Sequence, residues 1–293
     1  MQHWEKIAII GVGLLGGSIG LAARGQNLAR RVEGYVRREE VIKKCQDYGV
    51  VDKASCNLDE IVSGADLIIL CTPLSQMKSL VERMRGHLKK GAIVTDVGSA
   101  KAKVVSELEP LVSELGGEFI GGHPMAGSEK TGVDASISTL FNGAVCVLTP
   151  TKSTRIEPLE NVKEFWHRLG ARVLLLSPED HDLFVSRSSH LPHIVANQLA
   201  RYVLNPVYPI EQAMLCSSGF RDTTRIASSS PEMWRDICLA NREKLINVLE
   251  EFIKELENFK SILGNGNGEK IEEFFKTAKR LRDSWIEQGH SPE

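Results

Sequence analysis

The chain has 293 residues, 42% hydrophobic and 25% charged, with a formal net charge of −2. That length points to two units with a sizeable core, and the near-neutral charge leaves no case for a nucleic-acid or membrane partner. Six scattered cysteines (Cys45, Cys56, Cys71, Cys146, Cys216 and Cys238) form no CxxC pair and no metal-ligand spacing, so the expectation is a cytoplasmic protein with neither disulfide framework nor metal.

Residues 6–10 read as a first strand. The run 7–23, IAIIGVGLLGGSIGLAA, is apolar enough to pass for a membrane span or a signal segment. It is short for a bilayer, and its five glycines argue against a span. Their spacing is the better guide. Gly11-Val12-Gly13-Leu14-Leu15-Gly16 follows the strand and opens a helix, where glycines permit a tight turn and a close approach to a pyrophosphate. Gly11, Gly13, Leu14, Leu15 and Gly16 are therefore candidate cofactor contacts at a helix N-terminus.

A second strand follows at 31–35. In NAD-binding folds an acid about twenty residues beyond the glycine loop binds the ribose 2′-hydroxyl. Here that place falls on Val36, and Arg37 and Arg38 come next. Guanidinium groups suit a 2′-phosphate, which predicts a preference for NADP over NAD, with Arg37 the main contact and Arg38 secondary. The alternative is that both arginines are surface charges and NAD binds through its pyrophosphate.

Further strands are expected at 67–71, 92–96, 118–121, 144–148 and 173–176. Helices are expected at 75–88 and 101–115. This alternation predicts an α/β Rossmann-type fold with a doubly wound, mostly parallel sheet. Ligands of such sheets bind beyond the strands' carboxyl ends, so chemistry is expected after Ile10, Cys71, Asp96 and Gly121, with Thr72 and Pro73 as further cofactor contacts. The segment 121–129, GGHPMAGSE, ends a strand on that edge and carries His123 between small residues. A histidine there is placed for proton transfer near neutral pH, or for a structural role.

The pattern changes at Ser177-Pro178-Glu179-Asp180, a helix start that Ser230-Pro231-Glu232 repeats. Residues 1–176 are thus expected to form an NAD(P)-binding domain and 177–293 an all-α helical domain. Leu245, Leu249, Phe252, Leu256, Phe259 and Leu263 make an apolar seam on one long helix. GNGNG at 264–268 ends it, and 269–288 reads as a last helix. The seam is more apolar edge than one terminal helix covers, which predicts a homodimer through the helical domain. The alternative is an internal bundle with Ile271, Phe274 and Leu281.

Five motifs in order, GVGLLGGSIG, TDVGSAK (95–101), GGHPMAGSE, SHLPH (189–193) and GFRDTTRIA (219–227), together resemble the prephenate dehydrogenase family. The resemblance covers about residues 6 to 245. It implies oxidative decarboxylation of prephenate, or of its amino counterpart arogenate, with hydride transfer to NAD(P). It implies that His123 is the catalytic group at the ring hydroxyl, assisted by Ser99. His193 would lie in the substrate pocket, and Arg225 would grip a substrate carboxylate. Trp234 and Asp182 resemble pocket-rim residues and are expected to be structural or gating. His190 and His193 stand three apart around Pro192 and share the first turn of a helix, so one could cap that helix while only the other faces substrate.

Two other classes fit parts of the pattern. A β-hydroxyacid-type dehydrogenase would share the glycine loop and helical tail, but such enzymes rely on a lysine in the helical domain and would not need GGHPM. A non-catalytic dinucleotide sensor would lack a base paired with a carboxylate clamp, and both are present here.

Overall fold

A computed structural model describes residues 4–207 and 209–288. The chain opens with β1 (Trp4–Ile10), α1 (Leu14–Gly25), β2 (Ala29–Tyr35), α2 (Glu39–Asp47), β3 (Lys53–Ser55) and α3 (Leu58–Val62). It continues with β4 (Leu67–Leu70), α4 (Leu74–Arg83), β5 (Ile93–Asp96), α5 (Ala102–Glu114), β6 (Glu118–Pro124), β7 (Val145–Thr149), α6 (Ile156–Arg168) and β8 (Arg172–Leu175). The strands form one sheet in the order β3-β2-β1-β4-β5-β6-β7-β8. All neighbours are parallel except β6 and β7, which run antiparallel with His123 opposite Val147.

β1 explains why the sheet is buried on both sides. Ile7 and Ile9 enter one apolar cluster, with Ile19, Phe141 and Trp166, while Ala8 and Ile10 enter another, with Ile68, Leu70 and Leu108. Alternate residues of a strand point to opposite faces, so a strand covered on both reads as an unbroken apolar run. That accounts for the start of the apolar run 7–23; the rest is the glycine turn and α1, in which Gly16, Gly17, Ile19, Gly20, Ala22 and Ala23 are buried. Among the described residues no helix is long and apolar enough to cross a membrane.

After the sheet come α7 (Pro178–Val185), a π-helical turn (Ser186–His190), α8 (Leu191–Val203), α9 (Ile210–Met214) and α10 (Ser218–Thr224). A 3-10 turn (Arg225–Ser228), α11 (Pro231–Ala240), α12 (Arg242–Gly264) and α13 (Gly268–Glu287) follow. Pro192 cannot donate to the carbonyl four residues back, and the helix widens into the π-turn just before it.

The chain divides into two compact units, Met1–Arg242 and Glu243–Glu293. The first contains the sheet and the helices through α11. The second is an α12–α13 hairpin in which Phe259 packs on Phe274 at 4.4 Å between ring centres. α13 thus covers the middle of the apolar seam, while Leu256 and Leu263 remain exposed.

Candidate active site

A cleft of about 250 Å³ opens at the carboxyl ends of β1 and β4, where the strand order reverses and dinucleotides bind in such sheets. Gly11 has φ +102°, and a side chain there would meet the Cys71 carbonyl at 2.7 Å. A Cβ on Gly13 would meet no atom within 4 Å, leaving room for a ligand against the backbone. The first hydrogen bond of α1 runs from Gly17 N–H to the Gly13 carbonyl. The N–H groups of Leu14, Leu15 and Gly16 are therefore not used within the helix. Thr72 and Pro73 line the cleft, and the buried Thr72 hydroxyl has no hydrogen-bond partner. An open turn, unused helix donors and an orphaned hydroxyl fit a dinucleotide.

Val36 ends the wall formed by β2, and Arg37 and Arg38 line the cleft beyond it. Arg38 pairs with Glu40 at 3.2 Å. Glu33 is committed elsewhere, in a buried pair with Lys6 at 2.7 Å. Sequence reading overlooked Lys44, a third cation on the same wall, 3.9 Å from Asp134 across the cleft.

His123 is buried near the end of β6. Its Nδ1 lies 2.8 Å from His181 Nε2, and His181 Nδ1 lies 2.8 Å from Asp182 Oδ1. A carboxylate only accepts, so a neutral His181 carries its proton on Nδ1 and accepts at Nε2. His123 must then donate from Nδ1, which leaves its Nε2 as a lone-pair base. Burial, reinforced by His181, Lys101 and His190, pushes the His123 pKa well below its ordinary value. Burial alone would raise the Asp182 pKa, but hydrogen bonds from His181 and the N–H groups of Lys101 and Ala102 outweigh it and hold the group ionised.

The Ser99 loop is fixed from several sides. Asp96 accepts from Gly98 N at 2.8 Å and Gly122 N at 3.1 Å. The fully buried Lys101 ammonium bridges Asp96 and the Gly122 carbonyl, binding the loops of Ser99 and His123 together. Asn241 Nδ2 donates to the Asp182 carbonyl at 2.8 Å and to His190 Nδ1 at 3.2 Å. His190 therefore carries its proton on Nε2 and donates to the Ser99 carbonyl at 3.2 Å. Burial lowers its pKa to about 4.

His190 stands at the N-cap of α8 but makes no capping bond, because both of its ring nitrogens are taken by Ser99 and Asn241. His193 donates from Nδ1 to the Ser189 carbonyl at 3.0 Å and stacks on Trp234, with ring centres 4.0 Å apart. Its Nε2 is left as an acceptor, and the Trp234 indole N–H is buried without a partner. Arg225 sits on the 3-10 turn, its Nη1 3.0 Å from Glu129.

Two family models match. One describes the nucleotide-binding domain of prephenate dehydrogenase and covers residues 19–175; the other describes its dimerization domain and covers residues 177–277. The chain belongs to the prephenate dehydrogenase family. Membership makes it a dehydrogenase with a nicotinamide cofactor. It is 36% identical to prephenate dehydrogenase of Bacillus subtilis, over 96% of this chain and 76% of that protein. It is 33% identical to cyclohexadienyl dehydrogenase of Zymomonas mobilis, over 96% of each. A structure of prephenate dehydrogenase from A. aeolicus with hydroxyphenyl propionate and NAD+ superposes with a TM-score of 0.89 at 35% identity, covering 96% of this chain and 98% of that one.

Sequence reading did not single out His181, and it treated Asp182 as pocket rim. The only local signals were the adjacent His-Asp pair and the helix start before it. The relay needs His181 to meet His123, 58 residues away, which no spacing rule reports.

Proposed function

We propose that the chain oxidises prephenate or arogenate, with His123 as the base at the ring hydroxyl. The relay Asp182–His181–His123 carries this reading, because it sets the His123 tautomer with Nε2 as the acceptor. A bound nicotinamide supplies the hydride acceptor for the carbinol carbon. His123 takes the hydroxyl proton at Nε2 as that carbon becomes a carbonyl, and the positive charge is shared with His181 and stabilised by Asp182. The ring carboxylate then leaves as carbon dioxide, its bonding pair completes the aromatic ring, and His123 returns the proton to the phenolate oxygen. Ser99 assists at the hydroxyl. His193, held by Trp234, lines the substrate pocket. Arg225 keeps N–H groups beyond the one given to Glu129 for a substrate carboxylate.

The cofactor pocket favours NADP in this proposal. Arg37 is the main 2′-phosphate contact and Arg38 the secondary one, with Lys44 adding charge, and no carboxylate stands at Val36. Residues 1–176 serve as the cofactor domain and 177–293 as the helical domain of a homodimer, a division supported by the family-model boundary at 175 to 177. The cytoplasm is the proposed compartment, consistent with six free cysteines. Initial rates with prephenate and arogenate, each with NAD+ and NADP+, test the proposal. Turnover of either acid supports it, and no turnover in all four assays overturns it.

A further inference from the structure

The two helices that begin just behind the cleft loops lack caps of their own. α4 starts after Pro73 and α5 after Lys101, and neither N-cap side chain makes a capping bond. Aspartates from much later in the chain fill both places. Asp182 accepts from Lys101 N at 2.7 Å and Ala102 N at 3.0 Å. Asp236 Oδ2 accepts from Ser75 N at 3.3 Å and also from the Ser75 hydroxyl. A carboxylate at a helix N-terminus satisfies orphan donors and complements the helix dipole.

Asp182 belongs to the relay already described, but Asp236 touches none of the reacting groups. It is buried on α11, and its other oxygen is held by the Arg235 guanidinium at 2.8 and 3.0 Å. The same helix carries Trp234, stacked on His193, and ends at Asn241, which joins Asp182 to His190. α11 therefore reaches the first turn of α4, directly after Thr72 and Pro73, with one residue and the His193 ring with another.

We propose that Asp236 is a positioning residue that, through Ser75 and α11, couples cofactor binding at the Thr72-Pro73 loop to the placement of Trp234 and His193. The inference rests on the proposed assignment of those two residues to the substrate pocket. Ordering of the loop by cofactor fixes the start of α4, which holds Asp236 and with it α11. Substrate binding and cofactor binding then help one another through this contact, and by linkage the effect is equal in both directions.

The test uses the whole protein and a non-reacting phenolic acid, 3-(4-hydroxyphenyl)propionate. Its dissociation constant is measured with and without saturating NADP+ (or NAD+, whichever the rate assays favour). Measurements cover wild type, Ser75→Ala, Asp236→Asn and Asp236→Ala. In wild type the cofactor is expected to tighten the acid about 5- to 100-fold, the usual range of such coupling. In Ser75→Ala, Asp236→Asn and Asp236→Ala that factor is expected to fall below about threefold, while each ligand alone binds within threefold of wild type. A purely structural role would weaken the separate affinities or lower Tm and leave the factor intact. Ser75→Ala and Asp236→Asn, the mildest changes, decide the matter if Asp236→Ala does not fold. No coupling in wild type, or coupling that survives in the folded variants, overturns the inference while the rate assays still judge the reaction. Failure of the wild type to bind the acid at all overturns the pocket assignment and the inference with it.

Discussion

At the scale of single residues, the proposed base is defined by where protons cannot go. Asp182 cannot donate, so His181 must, and the free lone pair is handed to His123 Nε2. Asp182→Asn tests this with almost no change of shape. An asparagine can still accept one backbone N–H of α5, but an amide N–H₂ turned toward His181 reverses its tautomer. His123 would then hold its proton on Nε2 and could not take another there. We expect kcat to fall about 10²- to 10⁴-fold with little change in KM for substrate, and His123→Asn to lose a similar factor. A kcat within threefold of wild type in Asp182→Asn would remove the relay from the mechanism. The same geometry sets the pH profile. Because the His123 pKa is pushed below its ordinary 6.5, the active neutral form persists through pH 6.5. The acid limb of kcat/KM is therefore expected below that value, and a limb centred above it would contradict the assignment.

At the scale of elements, the sequence was most readable where a local rule is strict. β1 and the glycine turn were legible because a turn against Cys71 admits only glycine-like backbone at Gly11. The helix starts at Ser177 and Ser230 were legible because each side chain caps its own helix. β3 was missed: it is three residues, Lys53-Ala54-Ser55, too short for any period. β6 runs past Gly121 to Pro124 because its last residues pair with β7 rather than β5, so His123 lies within a strand. The π-turn, the trans caps of α4 and α5, and the Arg225–Glu129 pair depend on partners far away in sequence and left no local trace. The end of β2 carries the cofactor prediction. Arg37→Ala is expected to lower kcat/KM with NADP+ about 10- to 150-fold, the range of one charge-assisted contact, and to change the NAD+ value less than threefold. Wild type favouring NAD+, or an unchanged NADP+ value in the variant, would make Arg37 a surface charge.

At the scale of the whole molecule, buried neutral histidines make the fold sensitive to acid. His190 has a folded pKa of about 4 against about 6.5 in an unfolded chain. Between those values the unfolded state binds a proton that the folded state refuses, so stability falls as pH drops through that window and is full above it. The shift corresponds to about 3 kcal/mol for this residue. Urea midpoints at pH 7.5 and 5.0 should show the loss, and His190→Asn should narrow the difference. Equal midpoints in wild type would mean that His190 does not titrate in this way. Assembly follows from what the second unit leaves uncovered. Its hairpin uses Phe259 and Phe274 internally, yet Ile253, Leu256 and Leu263 on α12 and Phe275, Leu281 and Trp285 on α13 stay exposed. Exposed apolar side chains of this kind suit an interface, and the match to a dimerization domain supports the proposal that a second copy covers them. Burying it would contribute about 25 cal/mol per Å² of apolar area, and a charge placed there would oppose association. We therefore expect light scattering to show a dimer at micromolar concentration, and Leu256→Asp combined with Leu281→Asp to shift it toward monomer with helical content retained. A fully active monomer in wild type would sink this expectation, and a double variant that stays dimeric would move the interface off the hairpin.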